Sequence, residues 1–308
     1  MTPALTSALE ARLEDRALWL RRTVLEMAVR AKSGHITTAF SQAEILCVLY
    51  YGGWLRVDPK DAKWPERDRF ILSKGQGGLG LYPVLADLGF FSRRELDDFA
   101  GRGKILGVHA EWNIPGVVII SGSLGHGLPI ATGIATALKR DGNPAKVVVL
   151  LGDAELYEGS NWEAALYAAH AGLDNIVCVV DCNGLGTIGY TDERARGDNA
   201  EKTDGPDLGS VADRFSAFGF TPRIISDGHD FGALWAGFEW AWTTRSSQPR
   251  VVVARTKKGK GCRVFEDKKG WHYRVPSGAD LVSARCDLGL PENGFPGPVS
   301  ELTSGATP

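Results

Sequence analysis

No apolar run in this sequence approaches the roughly 20 residues that a membrane-crossing helix needs, which excludes a helical membrane protein. Charge of one sign is equally scarce. Lys and Arg number 35 against 37 Asp and Glu, a net charge of -2, so nucleic acid and anionic membranes have no electrostatic hold as partners. The five cysteines, Cys47, Cys178, Cys182, Cys262 and Cys286, are odd in number and contain no C-x-x-C pair. A disulfide scaffold and a zinc ribbon are thereby disfavoured, and a reducing cytoplasm is the expected compartment. Cys178 and Cys182 fall four apart on an expected strand and read as buried small apolar residues. The first turn carries Glu10, Arg12 and Glu14 where a secretory signal would be apolar, so none is read. No internal repeat is visible.

What is present is an ordinary globular composition, 308 residues of which 44% are hydrophobic and 23% charged, enough for one large core. Residues 3–33 repeat apolar side chains at helical spacing, and Ser33 to Thr38 breaks the pattern as a loop holding His35. Ser41 with Glu44 reads as a capping box opening a helix over Gln42 to Tyr51. Arg69 to Ser73 predicts a short strand running into the glycine-rich bend Lys74-Gly75-Gln76-Gly77-Gly78, a shape that suits a phosphate or another close neighbour. Ser92 with Glu95 opens a short helix, and Val117 to Ile120 reads as a further short strand. Ser121 to Gly127 then leads into a helix with Ile130, Ile134, Ala137 and Leu138 on one stripe. Later segments alternate: helix over Val211 to Phe218, strand over Arg223 to Ile225, helix over Phe231 to Thr243, strand over Arg250 to Arg255, with Asp192 to Pro206 as polar loop. Alternation of this kind predicts an α/β fold, a parallel sheet flanked by helices in three α/β/α layers. One domain is expected over residues 1–275, with 276–308 as an extension whose Gly, Pro, Ser and Thr-rich end from Pro291 is mobile.

The densest chemistry lies in Val147 to Leu185. Val147 to Leu151 and Asn175 to Asp181 are apolar, β-branched-rich runs that read as buried strands. Between them Ser160 with Glu163 reads as a capping box, and Trp162, Ala165, Leu166 and Ala169 as one helical face. A right-handed crossover makes the strands parallel and puts their C-terminal ends on one sheet edge, where open α/β folds bind ligands. Neighbouring strands would then bring Asp153 and Asn183 together. With the carbonyl of Leu185 they form a hard oxygen set suited to Mg²⁺ or Ca²⁺, and Mg²⁺ commonly completes its shell with phosphate. Gly152 and Gly159 would let backbone approach that phosphate closely.

Asp153 and Asn183 stand thirty residues apart, and GDAELYEGSNWEAA with VVDCNGL resembles the diphosphate-binding signature of thiamine diphosphate enzymes, in its transketolase form. SGHITTAFSQAEILCVLYY, DRFILSKGQGGLGLYPVLADLG, PGVVIISGSLGHGLPIATGIATALK, TKKGKG and WH follow the same family's order over roughly residues 15–275. The resemblance implies a thiamine diphosphate-binding fold with thiamine diphosphate and Mg²⁺, or Ca²⁺, as cofactors. Asp153, Asn183 and the Leu185 carbonyl would hold the metal. Gly152, Asp153, Ala154, Glu155, Thr38, Gln76, Lys258 and His272 would face the diphosphate or its intermediates, and Gly122, Ser123 and Leu124 would lie against the cofactor rings. His35, His109 and His272 match histidines around the substrate, and Glu158 an acid that couples two active sites across a subunit interface. His126, His170 and His229 are expected to be structural or exposed. Gln76 replaces the histidine of the family's Lys-Gly-His block, Ile36-Thr37 replaces Pro-Gly, Val108 a glycine and Ala154 the second glycine of Gly-Asp-Gly. All but the last surround the substrate, so a specialised sugar or a 2-oxo acid donor is implied. The family's pyrimidine-binding domain with its activating glutamate is missing. The resemblance therefore implies the N-terminal half of a split transketolase, moving a two-carbon ketol unit between a sugar or sugar phosphate and an aldose within an α2β2 heterotetramer. An acyloin synthase or 2-oxo acid dehydrogenase component and a non-catalytic regulatory scaffold are the alternatives.

Overall fold

The computed structural model describes residues 4–191 and 209–304. The expected loop at Asp192 to Pro206 lies outside them. The strands are β1 (Arg69–Leu72), β2 (Val147–Gly152), β3 (Ile176–Cys182), the two-residue pair β4 (Leu185–Gly186) and β5 (Gly189–Tyr190), β6 (Thr221–Ile225) and β7 (Arg250–Arg255). Five of them form one parallel sheet in the order β1-β2-β3-β7-β6, while β4 and β5 pair antiparallel. The helices are α1 (Ser7–Ala31), α2 (Ile36–Ser41), α3 (Ala43–Tyr51), α4 (Gly78–Asp87), α5 (Gly127–Arg140), α6 (Gly159–His170), α7 (Val211–Ala217), α8 (Phe231–Thr243) and α9 (Gly278–Asp287).

Strand side chains alternate faces, and the apolar runs therefore feed two cores. Val148, Leu150, Val177, Val179 and Val252 join α1 to α4 and α8 on one face. Val147, Val149, Leu151, Cys178, Val180 and Val253 join α5, α6 and α7 on the other. The three-layer α/β/α architecture follows directly from strands that are apolar on both sides. Helix α1 begins on Thr6, whose hydroxyl accepts from Leu9 N at 3.2 Å, and ends where Lys32 turns left-handed at φ 52°.

Several local expectations give way to tertiary contacts. Ile36–Ser41 is helical, and Ser41 caps nothing: its hydroxyl donates to Thr38 O and, at 2.6 Å, to Asp181. Ser160 likewise reaches Gly125 O at 2.6 Å, leaving Glu158 at the N-cap of α6 without a capping side chain. The buried face of α5 is Leu128, Ala131, Ala135 and Leu138, with Ile130 turned outward; that of α6 is Asn161, Ala164, Ala165 and Ala168, with Leu166 outward. Each helix is apolar on more than one side, so the sheet chooses the side with small residues that pack closely. Val117 to Ile120 forms no strand; Val118 and Ile119 pack against the second core instead. The segment after Pro291 is packed rather than loose through Ser304. Val299 and Leu302 are buried, Trp19 Nε1 donates to Leu302 O at 2.7 Å, and Ser300 Oγ donates to Asp97 at 2.6 Å.

Candidate functional site

The C-terminal ends of β1, β2, β3 and β7 open into a cavity of about 430 Å³, its mouth included, at the edge where parallel sheets take ligands. Parallel registry puts Gly152 opposite Asp181, so the residues just past each strand, Asp153 and Asn183, both reach this cavity. Asp153 is 2% exposed, and its Oδ2 accepts from Gly184 N at 2.9 Å and Thr191 Oγ1 at 2.6 Å. Burial raises its pKa above the carboxylate norm, and the hydrogen bonds counter only part of that. Among the described residues its carboxylate has no ion-pair partner. Asn183 turns Oδ1 to Leu185 N at 3.2 Å, and the Leu185 carbonyl accepts from Lys258 Nζ at 2.6 Å. A buried carboxylate without a cation, an amide oxygen and a carbonyl on one cavity fit a hard divalent ion.

The nearest ion pair is on Asp181, a residue that sequence reasoning read only as the end of a strand. Its fully buried carboxylate takes Lys74 Nζ, Thr256 Oγ1 and Ser41 Oγ. Burial alone would raise its pKa; the Lys74 charge and the three donors outweigh burial and hold it below the usual carboxylate range. Lys74 also donates to Thr38 Oγ1 at 3.2 Å, which ties the glycine-rich bend to α2. That bend needs glycine for the protein itself: a Cβ on Gly75 would sit 1.9 Å from Ser121 O. At Gly127 it would sit 2.2 Å from Ser73 Oγ. Two strand-end loops interlock there. A Cβ on Gly159 would meet nothing within 4 Å, so no close neighbour in the chain requires glycine at that position.

Of the residues singled out in the sequence, Thr38, Gln76, Leu124, Gly152, Asp153, Ala154, Glu155, Asn183, Leu185, Lys258 and His272 line this one cavity. Glu155 faces protein donors, Ser73 Oγ, Gly125 N at 3.0 Å and Gly152 N at 3.2 Å, and so fixes the loop before α5 against β2. Gly122, Ser123 and Glu158 are exposed outside the cavity. His35 and His109 lie beside it through His272: the ring centroids of His35 and His272 are 5.3 Å apart, those of His35 and His109 5.5 Å. Burial first, then the neighbouring cationic and imidazole groups, lowers His35 to about 3 and His272 to about 4; burial lowers His109 as well. At neutral pH all three rings are uncharged, each with one donor and one acceptor nitrogen. His272 Nδ1 is 3.0 Å from Lys258 Nζ and its Nε2 3.2 Å from Thr187 Oγ1.

Lys258 is held in place from behind. His229 Nδ1 lies 2.9 Å from Glu44, and its Nε2 accepts from Lys257 N at 2.8 Å, while Glu44 pairs with Arg21 at 2.7 Å. This buried relay joins α1 and α3 to the loop after β7, which gives His229 the structural place expected of it. His126 and His170 are exposed.

Comparison with known proteins places these features in a wider group. Residues 15–301 match the transketolase, thiamine diphosphate binding domain. The chain is 37% identical over 278 residues to one of the apulose-4-phosphate transketolase subunits of Actinobacillus succinogenes, covering 90% of this chain and 95% of that protein. It is 33% identical over 261 residues to a 6-deoxy-6-sulfo-D-fructose transketolase subunit from a Clostridium species, covering 84% and 90%. The crystal structure of transketolase from Campylobacter jejuni superposes with a TM-score of 0.81 at 29% identity, covering 94% of this chain and 44% of that one. The chain thus spans less than half the length of that solved transketolase.

Proposed function

The chain belongs to the transketolase family, as its thiamine diphosphate binding domain, and we propose that it is the diphosphate-binding subunit of a ketol transferase that works with a separate pyrimidine-domain subunit. The observation that carries this reading is the single cavity lined by Asp153, Asn183, Leu185, Lys74 and Lys258 at the C-terminal sheet edge. A near-complete match in length to a relative that is itself named as one part of a transketolase supports the two-chain arrangement. Residues 1–275 hold the cofactor half in this proposal, and 276–304 brace it.

When bound, thiamine diphosphate supplies the electron sink that lets a bond beside a ketose carbonyl break. Asp153, Asn183 and the Leu185 carbonyl hold Mg²⁺, with Ca²⁺ as a substitute of the same hard character. Thr38, Lys258 and the backbone of Gly152 and Ala154 face the diphosphate; alanine keeps the N–H that the position offers. His35, His109 and His272, uncharged at pH 7, exchange protons with substrate hydroxyls. Gln76 can hydrogen-bond to a sugar but cannot move a proton. Together with the relatives named for apulose-4-phosphate and a sulfosugar, it favours a specialised ketose donor and an aldose acceptor. Leu166 and Tyr167 on α6 and Ile130 on α5 are exposed apolar side chains, and we assign them to the interface of an α2β2 assembly.

Burial pulls the Lys258 ammonium down to about 8; Asp153 and Asp181 oppose the shift and Lys74 adds to it. A diphosphate favours the charged form, so its affinity is constant below that value and falls as pH rises through it, by up to about tenfold per pH unit. Calorimetric titration of pyrophosphate with Mg²⁺ between pH 7 and 9.5 is expected to show the fall, and Lys258→Met to remove it. A flat profile in the native chain would contradict the placement.

The reaction itself is tested by assembling the purified chain with a pyrimidine-domain subunit from the same organism. Ketol transfer is expected from the pair and from neither chain alone, with a dihydroxyethyl group on the cofactor by mass spectrometry. Steady turnover by this chain alone, or a hydroxyethyl adduct from a 2-oxo acid, would overturn the proposal.

A further inference from the structure

At the opposite edge of the sheet, about 20 Å away along six-residue strands, a shallow groove of about 1070 Å³, the open space above it included, lies between the residues that precede β2 and β3, the start of β7 and the loop after α8. Lys146, Arg245 and Arg250 line it, with hydroxyls from Thr243, Ser246 and Ser247. Arg250 is only 3% exposed. Its guanidinium donates to two carbonyls, Thr244 O at 2.6 Å and Asp174 O, and to no carboxylate. Its Nε is buried without a hydrogen-bond partner. The acid on the groove, Asp174, is already paired with Lys139 at 2.6 Å. The next acid, Asp68, which accepts from Lys146 N at 2.8 Å, is paired with Arg56 at 3.1 Å. Lys146 and Arg245 form no ion pair or side-chain hydrogen bond within 4 Å among the described residues.

We infer that this groove is an anion site for the phosphate group of a small molecule, separate from the cofactor cavity. Three cations facing one carboxylate that is already neutralised leave uncompensated positive charge in a partly desolvated place. Lys146 is held below its ordinary pKa by burial first and Arg250 next, a strain that a bound anion relieves. Two carbonyl bonds explain how Arg250 braces the strand, but not why an arginine rather than a neutral donor stands there, nor why two further cations share the groove. A tetrahedral oxyanion can accept from the ammonium, an exposed guanidinium and the hydroxyl rim at once. The proposal is independent of the reaction proposed above.

The test is calorimetric titration of the full chain with inorganic phosphate and, in parallel, glycerol phosphate, at ionic strength fixed with chloride. Saturable binding of either is expected. Lys146→Met and Arg245→Ser should each weaken it about tenfold or more, while Lys258→Met, in the cofactor cavity, leaves it unchanged. Tighter binding of the ester would mean that the rim touches the rest of the molecule; equal binding would mean that phosphate alone is read. Both side chains reach the surface, and melting temperatures in chloride matching the native chain separate a lost site from a lost fold. No saturable binding, or binding removed by Lys258→Met and untouched by the groove variants, would overturn the inference.

Discussion

Asp181→Ala is expected to lower the unfolding free energy by about 3–5 kcal/mol, the usual consequence of removing one partner from a buried ion pair. Lys74 is 5% exposed at its side chain, and without Asp181 its charge stays buried with only Thr38 to hydrogen-bond to. Thr256 would lose its acceptor at the same time, while Ser41 keeps Thr38 O. Urea denaturation measures the change, and a double variant with Lys74→Met and Asp181→Leu should regain much of the loss, because an apolar pair of similar volume carries no buried charge. A loss below about 1 kcal/mol in Asp181→Ala would mean that water reaches the pair. The position also fixes the pH sense. Because its folded pKa is depressed, the stability that Asp181 contributes is present above the ordinary carboxylate pKa and is lost as pH falls through the lower folded value.

Asp153→Asn is expected to act in the opposite direction on the empty fold while removing ligand binding. Burial raises the pKa of Asp153, which disfavours its ionised form, and asparagine keeps an oxygen for Gly184 N and Thr191 Oγ1. The variant should melt at the same temperature as the native chain or higher when no metal is added. Addition of Mg²⁺ with thiamine diphosphate should raise the native melting temperature by mass action and leave that of the variant unmoved, with affinity down more than about 100-fold. A full ligand-induced shift in Asp153→Asn would refute the assignment of this carboxylate as the metal ligand. Two acids on adjacent strand ends thus differ: Asp181 is paired with Lys74 and ties the loops together, and Asp153 has no ion-pair partner among the described residues.

That division was only half legible beforehand. Asp153 and Asn183 stood out because both end apolar runs with metal-ligand residue types, a pattern contained within one strand-helix-strand unit. Asp181, two residues before Asn183, gave no comparable signal. Its partners Lys74 and Ser41 are 107 and 140 residues away, and an acid at a strand end is most often a turn residue. Ser41 and Ser160 misled for the same reason. A capping box is a local pattern, whereas each hydroxyl found a distant acceptor that a helix terminus could not match. Glu44, read as the other half of a capping box, became the buried partner of Arg21 and His229. As for the three clustered histidines, His35, His109 and His272, only the resemblance to a family brought them together; no spacing in the sequence predicts rings 5.3 and 5.5 Å apart.

The sequence by itself determined the alternation of strands and helices, the doubly covered parallel sheet and the edge at which Asp153 and Asn183 emerge. Side-chain period and apolar runs are local properties, and the handedness of a crossover leaves little choice in how they assemble. Only the tertiary structure decided which side of α5 and α6 is buried, which acid takes the lysine, and that the segment after Pro291 lies against α1. Those outcomes depend on which segments meet. Burial and charge compensation are settled between side chains far apart in the chain, where one residue's partner is fixed by everything else that packs around it.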